Sequence, residues 1–557
     1  MFLLLRQLLR LHHEIRTTRG QPPLTLSIDG FALAIAGLWL LAPINLTGVA
    51  YISQRIEALA TVFVLAGIYF YLRWRRRNYA TGVAPHAGWG IVLTFTLIGL
   101  TAKESAALLP LFTACIEFAL TGFRNQDGRW SKPAIFTHTV FLLVPMIVGT
   151  LWLSRWIFAA ADHFRTFTIG QRLLTEPRVL VAYIDWTLLP TLRQLTFYHD
   201  DLAISHGLLS PPSTLAAIAF LVGLLALAVW QRNRRPLFCL GMLWFFAGHA
   251  MTATIIPLEL VFEHRNYFPS IGLLLAVASV LGYQARPVKA PIPTLAAVIA
   301  LAFFSTTTFA RSCEWSNPLR LAYAEASKRP DSMRAQYALA QSLIASAGDD
   351  VRSPLLDRAK SILNRSVYRN DSGLAPAQAL IFIAGRTHQP VDPRWWSEIV
   401  RKLKAGPPSQ TDIQAIVFLP RCMRHDDCLF QPAQMLDVFL AALPASGDNP
   451  DIMSAYAEFA FDVLHDPALA IHLSDDIVTR FPNSPTYRAN LVKALIAIGR
   501  FGEARHQIEL LGKFNRWGSL DDTISTLESL LGQAIAKSKL APEPPGTDPS
   551  PAMSPSP

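Results

Sequence analysis

Apolar residues crowd the first 310 positions and thin out after them. Within that region they run in stretches close to the ~20 residues that a helix needs to cross a bilayer. The stretches cover 28–48, 56–72, 88–101, 104–121, 135–157, 213–231, 236–256, 269–285 and 291–310, which predicts nine spans. The third and fourth are parted only by Ala102-Lys103-Glu104 and read equally as one bent hairpin. The opening MFLLLRQLLRL is apolar but too short to span. It reads as an interfacial helix, or as the end of a spanning helix that begins upstream.

From about 317 to 536 charged and apolar residues alternate with a helical period, and no strand pattern is present. Ala470 and Ala504 each open a turn of apolar periodicity and stand 34 residues apart, the tetratricopeptide spacing. Pro482 falls where such a repeat closes its second helix, and YRANLVKALIAIGRFGEA (487–504) has the Leu, Gly and Ala pattern of its first helix and turn. A fainter copy lies in RPDSMRAQYALAQSL. The Pro/Ser-rich end, APEPPGTDPSPAMSPSP, predicts a disordered tail. The expected fold class is all-α: a polytopic transmembrane bundle over 1–312, a tetratricopeptide-like helical domain over 313–536 and a tail over 537–557.

Composition agrees with a membrane chain, since 51% of the 557 residues are hydrophobic and only 16% charged. The net charge of +10 invites a nucleic-acid reading, but the arginines gather beside apolar runs, as Arg73, Arg75, Arg76 and Arg77 and as Arg232, Arg234 and Arg235. That is the positive-inside pattern, and no nucleic-acid module accompanies it, so nucleic acid is excluded as a partner. Placing the turns 73–77, 124–132, 232–235 and 286–289 in the cytoplasm sends every alternate turn to the other face without conflict. The expected setting is the inner membrane of a bacterium, with the C-terminal domain in the periplasm.

Five cysteines are too few for a disulfide framework. Cys422 and Cys428 enclose MRHDD and read as a local disulfide or, with His425 and Asp426, as a metal site.

The candidate chemistry lies at the expected outer face. IPLELVFEHRNYFPSIGLL (256–274) sets Glu259, Glu263, His264, Arg265 and Asn266 between two apolar segments, where a charge is costly unless it serves a ligand, a pathway or a partner. Gln54-Arg55-Ile56-Glu57, Lys103-Glu104 and His199-Asp200-Asp201 sit at comparable edges. Arg55, Lys103, His264 and Arg265 are donors suited to a lipid phosphate. The plainer reading pairs them internally with Glu57, Glu104 and Glu263. Asp200 and Asp201 suit general-base work or a divalent metal, or else a helix cap, and Asp185 shares that ambiguity. No phosphate-binding glycine loop, GxSxG or HExxH is present.

With NLTGVAYISQRIEALATVFVLAGIYFYLR, TAKESAALLPLFTACIEF, FYHDDLAISHGLLSPPST and IPLELVFEHRNYFPSIGLLL in this order, the chain resembles bacterial multispanning proteins related to the transmembrane-and-tetratricopeptide-repeat O-mannosyltransferases, of the GT-C glycosyltransferase class. The resemblance covers about 45–275. It implies an outer-face site that takes a polyprenyl-phosphate sugar as donor substrate and passes the sugar to an acceptor, a protein or a glycan, that the repeat domain presents. Carried over, Arg55, Lys103, His264 and Arg265 are phosphate contacts. Glu57, Glu104, Asp200, Asp201 and Glu263 are the candidate acids and bases. Two departures stand out: the acidic first outer loop of the class would lie upstream of Met1, and Ala42 stands where relatives commonly have His. They leave room for a non-catalytic reading, a membrane-anchored tetratricopeptide scaffold for periplasmic protein assembly.

Overall fold

The computed structural model describes the chain except for residues 22–26, 80–85, 161–166, 257, 283–290, 425–430 and 541–557. The tail beyond 540 and the proposed partners Cys428, His425 and Asp426 of Cys422 lie outside the described residues. The described residues are helical throughout, joined by turns, with two isolated bridges and no strand. They divide into two compact units, Met1–Ser342 and Leu343–Pro557.

The first unit holds α1 (Phe2–Thr18), α2 (Ile28–Leu40), α3 (Leu46–Ala50), α4 (Arg55–Tyr79), α5 (His86–Leu100), α6 (Leu109–Ile116), α7 (Lys132–Ala160), α8 (Ile169–Leu188), α9 (Ser213–Trp230), α10 (Pro236–Gly248), α11 (Ser270–Gly282), α12 (Pro291–Glu314) and α13 (Pro318–Lys328). α14 (Met333–Ala347) runs through the boundary. Among the described residues, five helices are long and apolar enough to cross a membrane: Ile52–Arg77, Glu104–Thr121, Ala134–Leu151, Ser213–Asn233 and Pro293–Glu314. The pair Ile28–Leu40 and Pro43–Ala50, bent by 51°, makes a sixth if counted as one span. Pro43 forces the break, because its ring has no N–H to continue the helix behind it.

Gly88–Leu100, Pro236–Gly248 and Ser270–Leu281 are shorter apolar helices, where the apolar runs suggested full spans. At ~1.5 Å per residue each covers well under the ~30 Å of a hydrocarbon core. The 236–256 run stops early because the backbone after Gly248 turns away from helix. There the guanidinium of Arg172, on α8, bonds the carbonyls of Thr252, Thr254 and Leu258 in place of helical partners. α10 and α11 cross at Gly241 and Gly272, where a Cβ on either would strike the other's carbonyl oxygen.

α1 buries Leu4, Leu5, Leu8, Leu9, Leu11 and Ile15 against the bundle. It is tied through Arg6 to Asp29, at the start of α2, at 2.8 Å, and through Gln7 and Glu14 to Arg76, at the arginine-bearing end of α4. At that same end Glu117 is fully enclosed and accepts from Arg75 at 2.8 Å, Tyr71 at 2.7 Å and Thr121 at 2.6 Å, so a buried carboxylate has its partners.

The second unit continues with α15 (Pro354–Val367), α16 (Ala375–Arg386), α17 (Pro393–Ala405), α18 (Gln410–Arg424), α19 (Pro432–Ser446), α20 (Pro450–Asp462), α21 (Pro467–Arg480), α22 (Pro485–Ala497), α23 (Phe501–Gly512) and α24 (Asp521–Leu540). From α19 onward consecutive helices pack on one another, while α17 packs on α19 and α18 on α16 and α20; Val492, Ala504 and Leu511 lie at the centre of the last cluster. Ala470 and Ala504, the 34-residue pair, are both buried at equivalent places on α21 and α23.

Candidate functional site

Three polar segments far apart in sequence meet at the Arg55 end of α4, opposite Arg75 and Arg76. The turn Pro43–Asn45 packs on the turn Glu263–Asn266, and α3 packs on the latter too. Trp39 donates its indole N–H to Tyr267 O at 2.7 Å, and Asn45 donates to Trp39 O at 2.9 Å. Lys103 Nζ lies 2.8 Å from Glu57 Oε2, and Ser105 donates to Glu57 Oε1 at 3.3 Å. Arg311, from α12, reaches the same place: it donates to Pro43 O at 2.8 Å and to Glu263 Oε2 at 2.5 Å, with both side chains buried.

The candidate donors are therefore in different states. Lys103 is neutralised by Glu57, and Arg55 is exposed and donates to Val49 O at 3.0 Å. His264 is buried beside Lys103 and Arg265, and burial, with those two cations adding to it, pulls its pKa down to about 3. Arg265 is half-buried; its Nη1 donates to Glu259 O at 2.6 Å and to Leu260 O at 3.1 Å, and its guanidinium lies 5.2 Å from the Phe262 ring. Glu263 faces Arg311 while burial pushes its carboxyl up to about 7. Glu104 is exposed at the head of the turn that leads into α6.

The acidic pair Asp200 and Asp201 is held by the segment after α13, whose Arg334 also reaches Glu259 at 3.4 Å. Asp201 pairs with Arg329 at 3.1 Å, while Asp200 accepts from the Ser332 hydroxyl and from Arg334 N at 3.2 Å. Asp200 and Asp201 thus anchor the chain before α14, and neither caps a helix following it in sequence, since 202–208 holds none. His199 stacks on Trp186 at 4.9 Å, and burial with Arg329 beside it holds its imidazole down to about 3. Asp185 accepts from Gln194 at 2.6 Å within its own turn.

Several residues that shape this end were not singled out from sequence. Arg172 ties down 252–259 and pairs with Glu176 at 2.5 Å, and burial pushes the Glu176 carboxyl up to about 7. Tyr183 exchanges hydrogen bonds with the Phe262 backbone, at 3.0 Å to its O and 2.8 Å from its N. For Arg311 the signal was present: it is a lone arginine at the end of an apolar run, where charge needs a partner.

Chemically, the arrangement offers a buried imidazole, a guanidinium braced on two backbone carbonyls and a lysine paired with Glu57. Among the described residues no three His, Cys, Asp or Glu side chains group to hold a metal ion. No protein-family model matches the chain, and neither a curated protein nor a solved structure matches it.

Proposed function

We propose that the chain is a glycosyltransferase-like membrane protein that takes a polyprenyl-phosphate sugar at the outer face of a bacterial inner membrane and transfers the sugar to a protein or glycan acceptor. The observation that carries this reading is the meeting of the 43–57, 103–105 and 259–266 segments, with Lys103, His264 and Arg265 on them. A mere anchor has little use for so many polar groups at the edge of its apolar helices. Arg265 is the phosphate contact in this reading, with Arg55 and Lys103 nearby on the donor's path. The three short apolar helices complete nine crossings in partnership with their neighbours. The second unit is a tetratricopeptide-like array that selects the acceptor, supported by the helix pairs α20–α21 and α22–α23, whose buried Ala470 and Ala504 keep the repeat's period.

A second reading, a non-catalytic scaffold for periplasmic assembly, is favoured by one specific observation. Glu57, Glu263 and Asp201 each spend their charge on a basic neighbour, as structural ion pairs do.

Transfer of labelled sugar from a polyprenyl-phosphate donor, in membranes that hold equal amounts of wild-type and variant chain, separates the two. Loss of a guanidinium that holds a departing phosphate costs on the order of 2–4 kcal/mol in the barrier. Arg265→Ala is therefore expected to lose most of the product, and Arg265→Lys to recover little, because an ammonium cannot reproduce the planar fork. Transfer unchanged in both variants removes Arg265 from the site. A wild-type chain without transfer favours the scaffold.

A further inference from the structure

α23 and α24 are joined by KFNRWGSL, residues 513–520. Trp517, at its tip, is wholly exposed at 101% and has a left-handed backbone, φ 58° and ψ 28°. A bulky residue is penalised there, and a large aromatic standing alone in water is unusual. The loop beneath it is braced. Asn515 donates to Asp521 Oδ1 at 2.6 Å and accepts from Leu520 N at 2.9 Å, and the Arg488 guanidinium lies 5.9 Å from the Phe514 ring. The fold thus holds the indole outward on a stiff support, with Lys513 and Arg516 exposed on either side of Phe514.

We propose that this tip is a membrane-interface anchor, in which the Trp517 indole enters the headgroup boundary and Lys513 and Arg516 meet lipid phosphates. An indole is amphipathic, with an apolar body and one N–H, and favours that zone of a bilayer, while long cationic side chains reach back to the phosphates. A protein partner fits less well. Gly512, Lys513, Gly518 and Ser519 around the indole are small or polar and exposed, so no apolar core of the kind a stable interface needs surrounds it. The chain also carries its own membrane-spanning helices, which keep a bilayer at high effective concentration. The inference depends on those helices and not on sugar transfer, so either can fail alone.

The test uses the full chain with 5-fluorotryptophan, in nanodiscs of phosphatidylcholine and phosphatidylglycerol at three to one. The ¹⁹F resonance missing from Trp517→Phe is that of Trp517. The expected result is a resonance broadened at least twofold more by a headgroup-spin-labelled lipid than by a soluble gadolinium chelate. Greater broadening by the chelate would mean that the indole stays in water and would overturn the proposal. Shielding from both agents would overturn it too, in favour of a protein partner or a second copy of the chain.

Discussion

Arg311 and Glu263 show how a single charge changes meaning once its partner is known. In sequence Glu263 stands in EHRN beside His264 and Arg265 and reads as a candidate acid or base. In the fold its nearest cation is Arg311, 48 residues on, and the pair is enclosed. Buried pairs contribute little net stability, yet removing one member leaves an uncompensated buried charge. Arg311→Leu and Glu263→Leu should each lower stability by roughly 3–5 kcal/mol, and the double variant by clearly less than the sum. Thermal unfolding of the purified chain in detergent reads this double-mutant cycle. Additive losses would mean that the two groups do not act as a pair. Sequence alone left the pairing open because two cations flank Glu263 locally, whereas the one that meets it comes from another helix.

At the scale of elements, the sequence was most legible where local chemistry sets a boundary. Five helices, α13, α15, α17, α20 and α21, begin with a proline behind an Asn, Ser or Asp whose side chain accepts from the first backbone N–H groups, as Asn317, Ser353, Asp392, Asn449 and Asp466 do. Those starts can be read from the residues. α8 falls between the apolar runs 135–157 and 213–231 and carries Arg172, Glu176 and Asp185, so no predicted span marks it, and its role is tertiary. Its Arg172 and Tyr183 satisfy backbone groups of 252–262 that no regular element pairs. Tyr183→Phe removes both bonds to Phe262 without changing the ring, and should cost about 1–3 kcal/mol through the orphaned backbone groups. It should also lower any Arg265-dependent transfer, since Arg265 leans on the Phe262 ring in the same turn. An unchanged melting temperature in Tyr183→Phe would show that the 258–266 turn is held by other contacts.

The whole first unit carries one argument about orientation that no single helix supplies. α4 has Arg55 and Glu57 at one end and Arg75 and Arg76 at the other, so its two ends label two faces. To the Arg75 face belong Glu117, which bonds Arg75, and Arg232, whose guanidinium lies 4.4 Å from the Phe118 ring. To the Glu57 face belong Lys103, the 263–266 turn and Arg311. Of the four basic turns, 73–77, 124–132 and 232–235 are thus also grouped by contact, while 286–289 lies outside the described residues. Basic turns are retained in the cytoplasm, so the Glu57 face and the end of α12 are expected in the periplasm. Alkaline phosphatase fused after residue 320, which needs the periplasm to fold, should be active in intact bacteria, and a green fluorescent protein at the same point should stay dark. Fusions in the turn that ends at Arg235 should give the reverse. A bright fluorescent fusion after 320 with an inactive phosphatase would invert the first unit, and with it the face from which a lipid-linked donor could reach Arg265.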